Sequence, residues 1–350
     1  MNCVYCYEKK KSDMVFDEES VFVKLIDILK RTTSMGTKIK LIGGEPFLVF
    51  DKIRRLCERI WNEGLMEKIH FQITTNGTLV HGIIQDWLKD HKAEIDCKLS
   101  LDGDKISQDI NRPHSFEKID IPFFASNWEE CTVNMVVTPQ TMPFFADNVI
   151  FLHQCGLRNI VPIFAVFVNW SDCNLQKEYF EQLNHLASFY LNHPTIQRCR
   201  TLCIPIENTL RKCDNIICDI GKKIIYDIET EDYYPCHLFF PSVCGNNHPQ
   251  NMKSIDFSKR SVFEKAPCTT CDFINVCHTC YAANYIERGD MGNRDMTVCE
   301  YRKIDFLVNA KLEYNRIINS KNTTTRDYLI MEAIYKFHDE LEEIERKYAI

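Results

Sequence analysis

The chain has no surplus of basic residues: 42 Lys and Arg stand against 49 Asp and Glu, a formal charge of -7. A duplex-DNA binder usually presents a basic face, so nucleic acid is not the expected partner. No run of eighteen apolar residues occurs, which leaves no candidate membrane helix. The opening residues hold no apolar core and do not read as a signal peptide. Internal repeats and low-complexity linkers are missing too. These absences point to a soluble, cytoplasmic protein with no membrane partner. Its 350 residues allow one large domain or two ordinary ones. At 45% hydrophobic and 26% charged residues, material for a core is ample.

Cysteine, in contrast, is abundant: there are eighteen. Without an export signal, thiolate–metal bonds are the expected use, rather than disulfides. Cys57, Cys97, Cys131, Cys155 and Cys173 stand singly in apolar or helical contexts and read as buried small hydrophobes. The others are grouped. The chain opens Met1-Asn-Cys-Val-Tyr-Cys-Tyr7, so Cys3 and Cys6 form a Cys-x-x-Cys pair. Alone, such a pair serves zinc, redox chemistry or nothing. A second field runs Cys268-x2-Cys271-x5-Cys277-x2-Cys280, with Cys299 beyond it.

Between these fields the pattern alternates. A helix is expected over 16–33, with Val21, Leu25, Ile28 and Leu29 as its stripe and Asp17, Glu18 and Glu19 at its start. Strands are expected at 38–42, 68–73, 95–101, 131–138 and 159–168, and helices at 49–63, 79–91, 143–155 and 172–194. Alternation of this kind means an α/β fold with a parallel sheet and crossover helices. Sites in such folds lie at the carboxyl ends of the strands. Three polar clusters fall there: Gly43-Gly44-Glu45-Pro46, Thr74-Thr75-Asn76-Gly77 and Ser100-Leu101-Asp102-Gly103. One such cluster would be an ordinary turn; three at successive strand ends argue for a ligand site.

With the leading cysteine pair, these clusters resemble the radical S-adenosylmethionine (radical SAM) enzymes that carry a SPASM auxiliary-cluster domain. The resemblance implies a partial (β/α)6 TIM-like barrel over 1–175, a helical linker over 176–212, a cysteine-rich SPASM domain over 213–300 and terminal helices over 301–350. In the family a Cys-x3-Cys-x2-Cys motif holds a [4Fe–4S] cluster; Cys3 and Cys6 match its second and third cysteines. The first cysteine, and the first barrel strand, would fall upstream of Met1, as in a fragment or a chain with a misassigned start. Tyr5 matches the aromatic that borders the adenine. Gly43, Gly44, Glu45 and Pro46 resemble the motif that receives the ligand's ammonium group. Thr74 and Asn76 look like the next polar layer. Ser100 and Asp102 resemble residues that bind ribose hydroxyls or the carboxylate, Arg112 a base that pairs with the carboxylate, and Asn134 an inward contact.

From Cys199 helical periodicity is expected to stop. By resemblance, Cys268, Cys271, Cys277 and Cys299 hold an outer [4Fe–4S] cluster; Cys218, Cys236, Cys280 and Cys213 hold an inner one. Cys199, Cys203 and Cys244 read as structural, and His278 as a spacer. A single zinc site in the four-cysteine run is the competing reading, but it leaves Cys218, Cys236 and Cys299 unexplained. Beyond Cys299, Leu329, Ile330, Ala333, Ile334, Phe337, Leu341 and Ile344 form an apolar stripe that reads as a helix packed on the barrel or the capping domain rather than a partner-binding helix.

The function implied is reductive cleavage of S-adenosylmethionine to a 5′-deoxyadenosyl radical. That radical would modify a peptide or protein oxidatively, as in thioether crosslinking. A flavodoxin or ferredoxin-type donor would supply the electron. Within the family, sulfatase maturation is the main alternative, but those enzymes carry an aspartate where His237 follows Cys236. From another class, the alternative is a non-catalytic iron–sulfur or zinc scaffold. No catalytic side chain is assigned.

Overall fold

The structure is a computed structural model that describes residues 2–8, 17–31, 36–211, 213–245, 249 and 252–348. Contacts divide the chain into two compact units: Met1–Val137 with Asp147–Phe164, and Thr138–Ala146 with Ala165–Ile350. Among the described residues, no helix is long and apolar enough to cross a membrane.

The first unit is built on β1 (Thr37–Leu41), β2 (Ile69–Thr75), β3 (Ile95–Ser100), β4 (Thr132–Val137) and β5 (Asn159–Phe164). All pair in parallel, in the order β1-β2-β3-β4-β5. Sequential order means that every crossover winds the same way, and such a sheet curls into a half-barrel. The expected partial TIM-like barrel is therefore present, with five strands among the described residues. The helices are α1 (Glu18–Arg31), α2 (Phe50–Ile60), α3 (Ile83–Asp90), α4 (Lys105–Asn111), α5 (Ile121–Asn127) and α6 (Phe145–Gln154). The expected ends of the first helix at 16, 32 and 33 lie outside the described residues. Its acidic start is used between helices: Glu18 and Glu19 pair with Arg55 and Arg59 of α2 at 2.9 and 2.7 Å. Its buried positions are Ile26 and Leu29. Neither α4 nor α5 was anticipated, because seven residues make fewer than two turns. Their caps were visible, since Asp104 and Asp120 accept from the Ser107 and Phe123 amides.

Burial separates the two faces of the sheet. Phe71, Ile73, Thr75, Ile95, Cys97, Leu99, Val133, Met135 and Val137 are buried. Gln72, Thr74, Lys98, Ser100, Thr132 and Asn134 are only half-buried. Register sets this second group in rows, Thr74–Lys98–Thr132 and Ser100–Asn134–Val161. A parallel sheet packed on both sides would be apolar on both. This one keeps a polar face.

The isolated cysteines split. Cys57, Cys97 and Cys131 are buried as expected, but Cys155 is half-exposed and Cys173 is exposed. Cys155 sits in the turn that ends α6, where its amide donates to Phe151 O. Cys173 opens α7 (Cys173–Asn192) beside the cap Asp172. Element ends face solvent, so neither environment is the apolar one expected.

In the second unit α7 is followed by 3-10 turns, a hairpin of β6 (Ile225–Asp227) and β7 (Asp232–Tyr234), the single turn α8 (Pro241–Cys244) and α9 (Tyr281–Arg288). Periodicity stops near Cys199, as expected. Three helices close the chain: α10 (Met296–Ile318), α11 (Thr325–Lys336) and α12 (His338–Tyr348). The terminal stripe is thus carried by two helices that break at Phe337. Ile330, Ala333, Phe337, Leu341 and Ile344 are buried, whereas Leu329 is exposed. Phe337 packs on Phe273 and Phe306, with ring centroids 5.3 and 6.0 Å away. The stripe therefore serves its own domain.

Glu300 ties α12 down. Burial opposes its charge, but Lys347, Tyr348 and Lys303 donate to it and hold its pKa at about 2, below the usual 4.5. A carboxylate depressed in the folded state stabilises above its unfolded pKa, and that contribution fades as pH falls through the folded value. Docking of α12 is expected to weaken between pH 4.5 and 2, and Glu300→Gln should remove this pH dependence. Limited proteolysis across that range is the check. Equal protection of the wild-type C-terminus at both ends of the range would contradict it.

Candidate functional site

The Cys3–Cys6 segment is a tight turn, with the Cys6 amide 3.1 Å from the Cys3 carbonyl. Two contacts fasten it, one to the end of α4 and one to the residue pair just past β3. The Val4 amide donates to Asn111 O at 3.0 Å, and the Tyr5 hydroxyl donates to Asp102 Oδ2 at 2.9 Å. Asp102 is fully buried. It also accepts from Arg112 Nε at 2.9 Å, Arg112 Nη2 at 3.2 Å and the Val136 amide at 2.8 Å. Arg112 is thus gripped at two points, with its guanidinium 5.3 Å from the Tyr5 ring centre and Nη1 aimed at Cys3 Sγ at 3.9 Å. Burial works against the Arg112 charge, but Asp102 outweighs it and the pKa rises. Burial also pushes the Tyr5 hydroxyl up, and the neighbouring Asp102 adds to the rise. The Cys3 thiol is raised by burial, and Arg112 opposes that rise. A guanidinium placed there favours thiolate.

Glu45 forms a second clamp. Its Oε1 accepts from the Phe47 amide at 3.2 Å and Thr75 Oγ1 at 2.8 Å, and its Oε2 from the Asn76 amide at 2.8 Å. Burial still raises its pKa, against those three donors. Gly43 and Gly44 are exposed just before it, with no atom within 4 Å of where a Cβ would stand. The Asn76 side chain closes its own turn on Thr78, at 2.9 Å to the amide and 2.7 Å to the hydroxyl. Pro46 opens a short 3-10 turn. Gly103 carries φ +134°, and a Cβ there would lie 2.1 Å from Asn148 Oδ1, so only glycine serves after Asp102.

Thr74, Ser100 and Asn134 stand on the polar face of the half-barrel, where Ser100 and Asn134 are register partners. Asn134 Oδ1 is buried with no hydrogen-bond partner. A buried polar atom left unmatched marks a place for a ligand donor. Both oxygens of Asp102 accept from protein donors. Sequence reading missed Thr75, which, rather than Thr74, bonds to Glu45. It also missed Gln108, whose Oε1 accepts from the Asp102 amide at 2.7 Å. No spacing rule flags either.

In the second unit the cysteines fall into two groups. Cys268, Cys271, Cys277 and Cys299 line one cavity with Arg294 and Arg302. Burial raises the Cys277 thiol, and Arg294 and Arg302 oppose it, while Cys271 and Cys268 act on the same group. Cys299 is pushed up to about 11 by burial and then by Cys277. Cys236 is pushed to about 12 by burial, with Cys280 and Cys218 adding to the rise. Burial raises Cys280 as well, and Cys218 again contributes. The Cys213 thiol instead donates to Asn275 Oδ1 at 3.4 Å. His278 is held at about 3 by Arg302 and by burial, so it is neutral at pH 7. Among the described residues, no three His, Cys, Asp or Glu side chains are already arranged around a metal position. Thiols raised in this way favour the protonated form, and metal binding would displace their protons to solvent. The donor set, all sulfur and partly screened from water, suits iron–sulfur or zinc. Cys3 and Cys6, the open glycines and the unmatched Asn134 oxygen likewise fit a cluster with a nucleotide ligand.

Comparison with known proteins agrees. Residues 1–141 match the family model described as the Radical SAM superfamily. This stretch is thus similar to a radical SAM domain, the family its motifs resemble. It is 28% identical over 177 residues to an uncharacterized protein of Methanocaldococcus jannaschii; the match covers 46% of this chain and 57% of that protein. Its fold is similar to that of native anSMEcpe with bound AdoMet, at TM-score 0.69 and 19% identity over 91% of this chain and 94% of that one. It is also similar to Streptococcus suis SuiB bound to its precursor peptide SuiA, at TM-score 0.52 and 18% identity over 85% and 72% of the two chains.

Proposed function

We propose that the protein is a radical SAM enzyme that modifies a peptide or protein substrate oxidatively, with auxiliary iron–sulfur clusters in its second unit. The observation that carries this reading is the Asp102 hub. It ties the Cys3–Cys6 turn, through Tyr5 and Arg112, to the strand ends where the Glu45 clamp also lies. When bound, the cluster and S-adenosylmethionine would supply reductive cleavage to a carbon-centred radical. Cys3 and Cys6 would ligate iron. Gly43 and Gly44 would let the ligand approach the backbone. Glu45 holds that loop against the end of β2, and Arg112 supplies fixed positive charge beside Cys3. Ser100 and Asn134 would meet the nucleotide from the polar face. Substrate would be held close to the cofactor on the same face, as a short-lived radical requires.

Cys268, Cys271, Cys277 and Cys299 would hold one auxiliary cluster, and Cys218, Cys236 and Cys280, with Cys213 as a candidate fourth ligand, another. A peptide substrate is supported by neighbours in fold whose complexes contain peptides, anSMEcpe with Cp18Cys and SuiB with SuiA. His237, in place of aspartate after Cys236, argues for peptide crosslinking over sulfatase maturation. A flavodoxin or ferredoxin-type protein would deliver the electron.

Anaerobically reconstituted protein, with any residues encoded before Met1 included, is expected to bind S-adenosylmethionine and release 5′-deoxyadenosine on reduction. An iron-replete preparation that does neither would favour the scaffold. Gly43→Val gives a sharper test. Nothing lies within 4 Å of where the new Cβ would stand, so stability should change by less than about 0.5 kcal/mol. Affinity for S-adenosylmethionine should fall at least about tenfold, about 1.4 kcal/mol, because the valine fills the approach. Calorimetric titration and a denaturation curve together read both; unchanged affinity removes Gly43 from the site.

A further inference from the structure

Arg294 sits in a loop with little freedom. Asn284 Nδ2 donates to Met291 O at 2.9 Å, Arg288 Nε donates to Asn293 O at 2.8 Å, and the Gly292 amide donates to Asp290 Oδ1 at 2.8 Å. Gly292 lies so close to Phe263 that a Cβ would be 1.8 Å from its carbonyl oxygen. From this braced loop Arg294 directs Nη1 to Cys277 Sγ at 3.5 Å. Its Nη2 is buried with no partner in the protein. A buried guanidinium donor left unmatched is costly, unless something else accepts from it. The cavity that Arg294 lines also holds Cys268, Cys271, Cys299 and Arg302. Arg302 is itself anchored, donating Nη1 to the buried Asp305 at 2.7 Å, and Asp305 accepts from Tyr179.

We infer that Arg294 is a positioning residue for the cluster of the Cys268–Cys271–Cys277–Cys299 cavity, raising its reduction potential through a charged N–H···S contact to Cys277. The inference rests on the auxiliary-cluster reading above. Each added electron makes a thiolate-bound cluster more negative, so a fixed cation beside a ligand sulfur favours the reduced form. Hydrogen bonds to ligand sulfur act in the same direction. A cluster poised upward suits accepting electrons rather than donating them at low potential.

The test is a redox titration followed by electron paramagnetic resonance, on the full chain carrying Cys3→Ala and Cys6→Ala so that the first unit adds no signal. Arg294→Gln should shift the reduced-to-oxidised ratio of one cluster about tenfold toward oxidised, a fall of about 59 mV for one electron. The midpoint of the other cluster should not move. Arg294→Lys keeps the charge and should recover most of the shift. If Arg294→Gln loses iron, Arg294→Met decides, since it fills the space without the charge and should show the same fall. An iron-replete Gln or Met variant with the wild-type midpoint would overturn the role of Arg294 alone. A wild-type chain that takes up zinc and no iron would overturn the cluster reading and this inference together.

Discussion

Replacing Asp102 by alanine is expected to destabilise the first unit by about 3–5 kcal/mol, the usual cost of removing one partner from a buried ion pair. The magnitude follows from what would be stranded. Arg112 is buried, and both of its contacts to a carboxylate are to this one. The Tyr5 hydroxyl and the Val136 amide would lose an acceptor as well. Arg112→Met should cost less, because Asp102 would keep the Tyr5 and Val136 donors. The double variant should cost less than the sum of the two, since the coupling is then absent from both sides. Urea unfolding of the metal-free protein, following the transition of this unit, measures all three. A loss below about 1 kcal/mol for Asp102→Ala would show that the pair is not held as described. The same variant should free the Cys3–Cys6 turn and lower iron retention there.

The second large effect concerns iron. Three [4Fe–4S] clusters would give about twelve irons per chain after anaerobic reconstitution. Cys271→Ala with Cys277→Ala removes two of the four thiolates of one cavity, so about four irons should be lost and the rest retained. Retention follows from the grouping: the thiols acting on Cys236 are those of Cys280 and Cys218, and the thiol acting on Cys280 is that of Cys218. Elemental analysis with Mössbauer spectroscopy gives the count. A loss of all second-unit iron would merge the two groups into one site. One zinc and no iron would return the four-cysteine run to the tetrahedral reading.

Much of this was legible beforehand, and the reasons differ by element. The five strands were visible as β-branched and aromatic runs, the first three of which end in polar or glycine clusters. Observed bounds, such as Ile95–Ser100 against the expected 95–101, differ by a residue or a few. The helices α4 and α5 were not visible, since seven residues are too few to show a 3.6-residue repeat. The C-terminal stripe was read correctly as core-facing, but its break at Phe337 was not foreseen, because apolar spacing continues through it.

Local spacing in the chain determined the class of fold, the cysteine fields and the three strand-end clusters, because turns, caps and periodicity act over a few residues. Partnerships between distant residues were decided only by tertiary structure. Asp102 and Tyr5 are 97 positions apart, and Glu45 and Thr75 are 30 apart. Which carboxylate faces a ligand and which holds an arginine depends on where the curled sheet brings each strand end. The guanidinium of Arg294 reaches the Cys277 sulfur by the same kind of long-range placement, which no local pattern encodes.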